Sequence, residues 1–70
     1  MEVFAQRLRE VREEAGLNIT QLARMIGTGH QSVSKWEEGT YVASGQLLVN
    51  LCKVLNVSAD YLLGITNERD

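Results

Sequence analysis

Apolar residues recur at Phe4, Leu8, Val11 and Ala15, the spacing of a helix that buries one stripe. The stripe ends at Gly16, so a first helix is predicted before it. Arg7, Glu10, Glu13 and Glu14 fall on the opposite, solvated face, three or four residues from possible partners. Asn18 followed three residues later by Gln21 has capping-box form, and Leu22, Ala23 and Ile26 then give a short second helix its inward face before Gly27. Thr28 and Gln31 repeat the capping spacing, with Gly29 as the alternative cap, and Val33 and Trp36 supply the buried side of a third helix that Gly39 ends. Ser44 is placed to cap a fourth, in which Leu47, Leu48, Leu51, Val54 and Leu55 spread an apolar face wide enough for the core, closed by Asn56. Ser58 caps a last short helix, with Asp60 in its first turn and Tyr61, Leu62 and Leu63 before Gly64. No segment alternates with the two-residue period of a strand. The expected fold class is all-α, a compact five-helix bundle.

Length restricts the chain to one domain, expected over residues 1–66, with residues 67–70 as the end of a polar tail, "ITNERD", that frays. A domain of 70 residues buries only about 60% of the surface of its unfolded chain, and a hydrophobic content of 44% is enough to do so. No apolar run approaches the roughly 18 residues of a spanning helix, and Met1–Phe4 lead into charged residues rather than a signal-peptide core. A cytoplasmic protein with no membrane association is expected. Cys52 is the only cysteine and His30 the only histidine, so neither an internal disulfide nor a four-ligand zinc site can be built. No metal, cofactor or small-molecule ligand is expected. The net charge of −2 is unfavourable for binding nucleic acid, whose non-specific affinity comes from neutralised phosphates. The local distribution of charge must decide.

The stretch "GTGHQSVSKWEEG", residues 27–39, carries many hydrogen-bonding groups on one short helix. The second and third helices meet across Gly27, Thr28 and Gly29, which is helix-turn-helix spacing, although other αα corners share it. The stretches "RLREVREEAGLN", "QLARMIG", "SVSKWEEG" and "LLVNLCKVLNVSADYLLG" occur in order between Arg7 and Gly64. Together they resemble the phage-repressor and Cro type of helix-turn-helix domain, also called the xenobiotic-response-element family. The resemblance implies a lambda-repressor-like DNA-binding domain, usually a dimer on a palindromic operator, with residues 29–37 laid in the major groove of double-stranded DNA. It also implies an ion pair between Arg12 and Glu37 that ties the first helix to the recognition helix. Breaking such a pair from one side would cost on the order of 3 kcal/mol. Two unrelated surface charges are the alternative.

With Val33 and Trp36 turned inward, His30, Gln31, Ser34 and Lys35 face outward and can read base edges. The Gln31 amide presents a donor and an acceptor in one plane, matching adenine in the major groove, and Lys35 reaches guanine or a phosphate. His30 can donate to either, and Ser32 suits a phosphate or a thymine edge. A solvated helix face with capping duties is the alternative for all five. Asn18, Thr20 and Gln21 stand at the start of the second helix, where free N–H groups favour phosphate, although Asn18 and Gln21 can equally serve as caps. Thr28 and Gly29 position the turn. Tyr41 either donates to a phosphate or covers the core with Val42. Trp36 is expected in the core, Cys52 as inert packing, and Arg7, Arg24 and Lys53 as further phosphate contacts or simple solubility.

Relatives in the family pattern often carry glutamine where this chain has Ile19, and basic residues with a proline where it reads "TYVAS"; Glu38 adds a negative charge. These departures reduce the expected footprint to roughly two to four phosphates per subunit. The function expected is a dimeric, sequence-specific transcriptional regulator, a phage- or plasmid-type repressor, with Leu62, Leu63 and Ile65 at the subunit seam. The alternative is a protein-interaction module on the same scaffold, an antitoxin or anti-repressor partner, which the acidic balance and the apolar "YVA" loop favour. An enzyme is not expected, because the sequence offers no nucleophile–base pair, phosphate loop or metal cluster.

Overall fold

The computed structural model describes residues 1–70. Five helices form: α1 (Glu2–Glu14), α2 (Ile19–Ile26), α3 (His30–Glu37), α4 (Gly45–Leu55) and α5 (Ala59–Leu63). Each sends at least one completely covered side chain into a shared core: Phe4 and Leu8 from α1, Leu22 from α2, Val33 from α3, Leu51 from α4 and Leu62 from α5. α3 packs on α1 and α2, α5 on α1, and α4 on α2 and α5. The recognition-type pair α2–α3 is thus held from behind by α1 and from one side by α4.

Helix ends follow the local chemistry. Asn18 Oδ1 accepts from the Gln21 N–H at 2.7 Å and Gln21 Oε1 accepts from the Asn18 N–H at 2.8 Å, a reciprocal box that satisfies two donors at the start of α2. Gly27 ends α2 in the left-handed region at φ 83°, and the Thr28 N–H reaches back to the Ala23 carbonyl; this cap turns the chain sharply toward α3. Asn56 closes α4 in the same left-handed conformation. Ser58 Oγ accepts from the Tyr61 N–H at 3.0 Å.

Four expectations change. The Thr28–Gln31 box does not form: Gly29 is the cap of α3, with extended backbone, and Thr28 Oγ1 instead donates to Ser32 Oγ at 3.1 Å. Only Leu51 of α4 is fully buried, while Leu47, Leu48, Val54 and Leu55 are half-buried, because α4 has neighbours on only part of its circumference. Leu62 cannot belong to a subunit seam, since the core of its own chain covers it completely; Leu63 is half-buried and Ile65 remains 71% exposed.

The tail is the fourth. Arg69 lies 2.6 Å from Glu14 Oε1 and 2.9 Å from Glu10 Oε1, and its carbonyl accepts from the Ser58 N–H. Arg7 donates to the carbonyls of Tyr61 and Thr66 and to Asn67 Oδ1. Both guanidiniums lie over the Tyr61 ring, at 4.2 Å for Arg7 and 5.4 Å for Arg69. These charge-assisted bonds and cation–π contacts dock residues 66–69 on α1. Arg7 is consequently a structural residue, with no guanidinium left for phosphate.

Candidate nucleic-acid interface

The outward side of α3 is set by what anchors its inward side. Val33 is completely buried and Trp36 is 5% exposed. One turn of helix separates them, so His30, Gln31 and Lys35 emerge on the solvent face, where all three are exposed. Ser32 and Ser34 are half-buried at its edges, Ser32 held by Thr28 and Ser34 donating to Glu38 Oε2 at 3.4 Å.

Rotation of α3 about its axis is fixed by charge as well as packing. Arg12 grips Glu37 through two bonds, Nε to Oε2 at 2.7 Å and Nη2 to Oε1 at 3.0 Å, and its Nη1 donates to the Leu17 carbonyl at 2.8 Å. Both side chains are almost completely covered, at 10% and 3% exposure. The hydrogen bonds that Arg12 donates to Glu37 hold its pKa above the ordinary value against the opposing effect of burial. One guanidinium therefore joins α1, the α1–α2 loop and the last turn of α3. Arg9 adds a longer contact to Glu37 Oε1 at 3.4 Å. Asn50 of α4 donates to the Ile26 carbonyl at 3.0 Å, bracing the C-terminal end of α2 just before the turn. No local pattern marks Arg9 or Asn50, because each partner lies more than twenty residues away in sequence.

At the start of α2, Asn18, Thr20 and Gln21 are exposed. Capping occupies the side-chain oxygens of Asn18 and Gln21, so their amide N–H₂ groups remain as free donors directed by the cap. Capping and phosphate contact are compatible in the same residues. Tyr41 is 58% exposed, and the Lys35 ammonium lies 5.6 Å from its ring centroid. Covering the core falls to half-buried Val42 and fully packed Ala43 instead. Ser32, Lys35, Trp36, Tyr41 and Val42 line a shallow depression of about 330 Å³ beside α3. The larger groove, about 470 Å³, lies behind it between α1 and the end of α3, and its walls are mostly glutamates.

The chain's own contacts thin the positive charge. Of seven basic side chains, Arg7, Arg9, Arg12 and Arg69 are engaged within the chain. Arg24, Lys35 and Lys53 have no acidic partner. Burial pushes the Cys52 thiol above its ordinary pKa, which leaves it a poor nucleophile at neutral pH. No group of three or more histidine, cysteine or acidic side chains is arranged to hold a metal ion, and no helix is long and apolar enough to cross a membrane.

The helix-turn-helix family profile matches residues 8–62. The chain is 35% identical over 68 residues to YobD, an uncharacterized HTH-type transcriptional regulator of Bacillus subtilis, covering 97% of this chain and 61% of YobD. It is 31% identical over 62 residues to repressor protein C2 of Salmonella phage P22, covering 89% of this chain and 29% of C2. The chain thus spans less than two thirds of either relative. It superposes on the P22 c2 repressor in complex with a synthetic operator with a TM-score of 0.83 at 29% identity, over 89% of this chain and 94% of that one. SinR, a master regulator for biofilm formation, in complex with DNA, gives 0.78 at 30% identity, over 86% and 97%.

Proposed function

The chain belongs to the Cro/C1-type helix-turn-helix family, and on that premise we propose that it is a sequence-specific transcriptional repressor that binds a palindromic operator as a dimer. The observation that carries this is the exposed row of His30, Gln31 and Lys35 on a helix clamped from behind by Val33, Trp36 and the Arg12–Glu37 pair. A reader of base edges needs its side chains free and its backbone immobile, and α3 combines the two.

In this reading Gln31 pairs with adenine, Lys35 with guanine or a phosphate, and His30 with a neighbouring edge. The free amides of Asn18 and Gln21, with the Thr20 hydroxyl, grip phosphate at the start of α2. Thr28, Gly29 and Ser32 hold the turn in register. Ser34, turned toward Glu38, contributes at the margin, and Tyr41 donates to phosphate beside Lys35. The operators bound by the P22 c2 repressor and the DNA bound by SinR support DNA as the partner.

Selection from randomised duplexes tests the proposal. An inverted repeat with half-site centres about 10 bp apart is the expected product. Gln31→Ala should then relax discrimination at one base pair by about 1–3 kcal/mol without altering the others. A second reading, a protein-interaction module, is favoured by the internal use of four basic side chains and by the exposure of Tyr41. Loss of partner binding on Tyr41→Ala, with no sequence enriched by selection, would establish it instead.

A further inference from the structure

The joint between α2 and α3 is short and soft. Only Gly27, Thr28 and Gly29 link the two helices, and two of the three are glycine, the residue that resists backbone rotation least. Two backbone bonds close the end of α2, from the Gly27 N–H to the Arg24 carbonyl at 3.3 Å and from the Thr28 N–H to the Ala23 carbonyl at 2.9 Å. The carbonyl of buried Ile26 receives no backbone N–H. Its partner is the side-chain amide of Asn50 on α4, at 3.0 Å and 24 residues away in sequence. That amide is itself aimed, because its Oδ1 accepts from Gln46 Nε2 at 2.9 Å, one turn earlier on α4. Two side chains in series thus hold the first peptide of the turn.

The geometry points to Gln46 and Asn50 as positioning residues for base readout, acting on Gln31 through the Ile26–Gly27 peptide. This inference rests on the DNA-reading role of α3 proposed above and adds the part of the molecule that aims its first turn. A peptide unit is planar, so holding its oxygen holds its rotation, and with it ψ of Ile26 and φ of Gly27, which is 83°. Those two dihedrals set the direction in which the chain leaves α2. The two ends of α3 are secured by different means. Arg12 and Glu37 clasp the last turn. The first turn carries exposed His30 and Gln31 ahead of Val33, and it depends on the joint, to which the Thr28–Ser32 hydrogen bond ties it.

Small rotations matter because the helix is a lever. The eight residues of α3 rise about 12 Å, so a tilt of about 10° moves one end by about 2 Å relative to the other. A bidentate contact to a base edge tolerates only about 0.5 Å. A contact to phosphate tolerates more, since a flexible ammonium swings to follow it. Loss of the Asn50 bond therefore removes discrimination at the base pair that Gln31 reads before it removes affinity for DNA in general. A contact that served stability alone would weaken all binding together.

The test uses the full chain on the selected half-site, on duplexes changed at each base pair in turn, and on an unrelated duplex, with affinities read by fluorescence anisotropy. The Gln31 position is the base pair whose discrimination Gln31→Ala relaxes. Asn50→Ala should reduce discrimination there by about fivefold or more, while affinity for the unrelated duplex stays within about twofold. Gln46→Ala changes an exposed residue outside the core and should reduce it by about two- to threefold, because the Asn50 donor remains but is no longer aimed. This variant carries the test if Asn50→Ala does not fold. In the Gln31→Ala background neither change should reduce discrimination further, as expected of residues that act through Gln31. Equal losses on every duplex, or losses that add to that of Gln31→Ala, would show a contact that serves stability alone and overturn the inference while the regulator reading stands. Wild-type protein that prefers no duplex defeats the regulator reading, and this inference with it.

Discussion

Salt dependence of DNA binding provides the sharpest test of how this chain spends its positive charge. Three cationic side chains, Arg24, Lys35 and Lys53, make no hydrogen bond or ion pair within the chain, and the other four are held by Glu37, by Glu10 and Glu14, or by the carbonyls near the tail. Recruiting Arg12 to a phosphate would abandon a covered carboxylate, and Arg7, Arg9 and Arg69 would each have to leave a partner within the chain. With at most three phosphates neutralised by side-chain cations, log K against log salt should have a slope no steeper than about −2.7 per subunit. Raising KCl from about 50 to about 200 mM then weakens binding by about 40-fold per subunit. Anisotropy titrations on a half-site duplex measure the slope directly. Lys35→Ala should make it shallower by about 0.9, whereas Arg69→Ala should leave it unchanged. A slope near −7 per subunit, equivalent to about eight phosphates, would show that the internal pairs open onto DNA and would refute the reasoning.

Removing one side of the buried pair by Glu37→Ala strands the Arg12 guanidinium and should cost about 3 kcal/mol in urea denaturation; a loss below about 1 kcal/mol would mean that water reaches and solvates it. Gly64 sits at φ 83°, and a Cβ there would come within 2.9 Å of Val3 Cγ1. Gly64→Ala should therefore destabilise the fold by at least about 1–2 kcal/mol, seen as a lowered melting temperature. Arg69 holds the Glu14 carboxyl below its ordinary pKa, chiefly through their hydrogen bond. A carboxyl depressed in the folded state stabilises it above the unfolded pKa and loses that contribution as pH falls through the folded value. The tail contact should accordingly persist at neutral pH and loosen below about pH 4.5, the ordinary carboxyl value. An NMR titration of Glu14 checks this, and Arg69→Ala should return it to the ordinary carboxylate range.

The candidate site was legible where neighbours in sequence are neighbours in space. The Asn18–Gln21 box needs a span of three residues, and the outward face of α3 follows from the period between Val33 and Trp36. The Thr28–Gln31 spacing looked equivalent, yet the extended backbone at Gly29 and the Thr28–Ser32 bond take its place. A capping pattern states which groups could meet. Competing partners decide which do.

Hydrophobic period, caps and left-handed turn positions determined by themselves that this chain folds into five helices, because those signals act within four or five residues. They could not say what covers each face. Tertiary structure alone decided that Leu62 lies inside its own core while Ile65 stays exposed. It also decided that Arg7 and Arg69 clasp the tail instead of facing outward. A helix wheel orders side chains around one axis, whereas burial and ion pairing depend on where the other four axes come to rest.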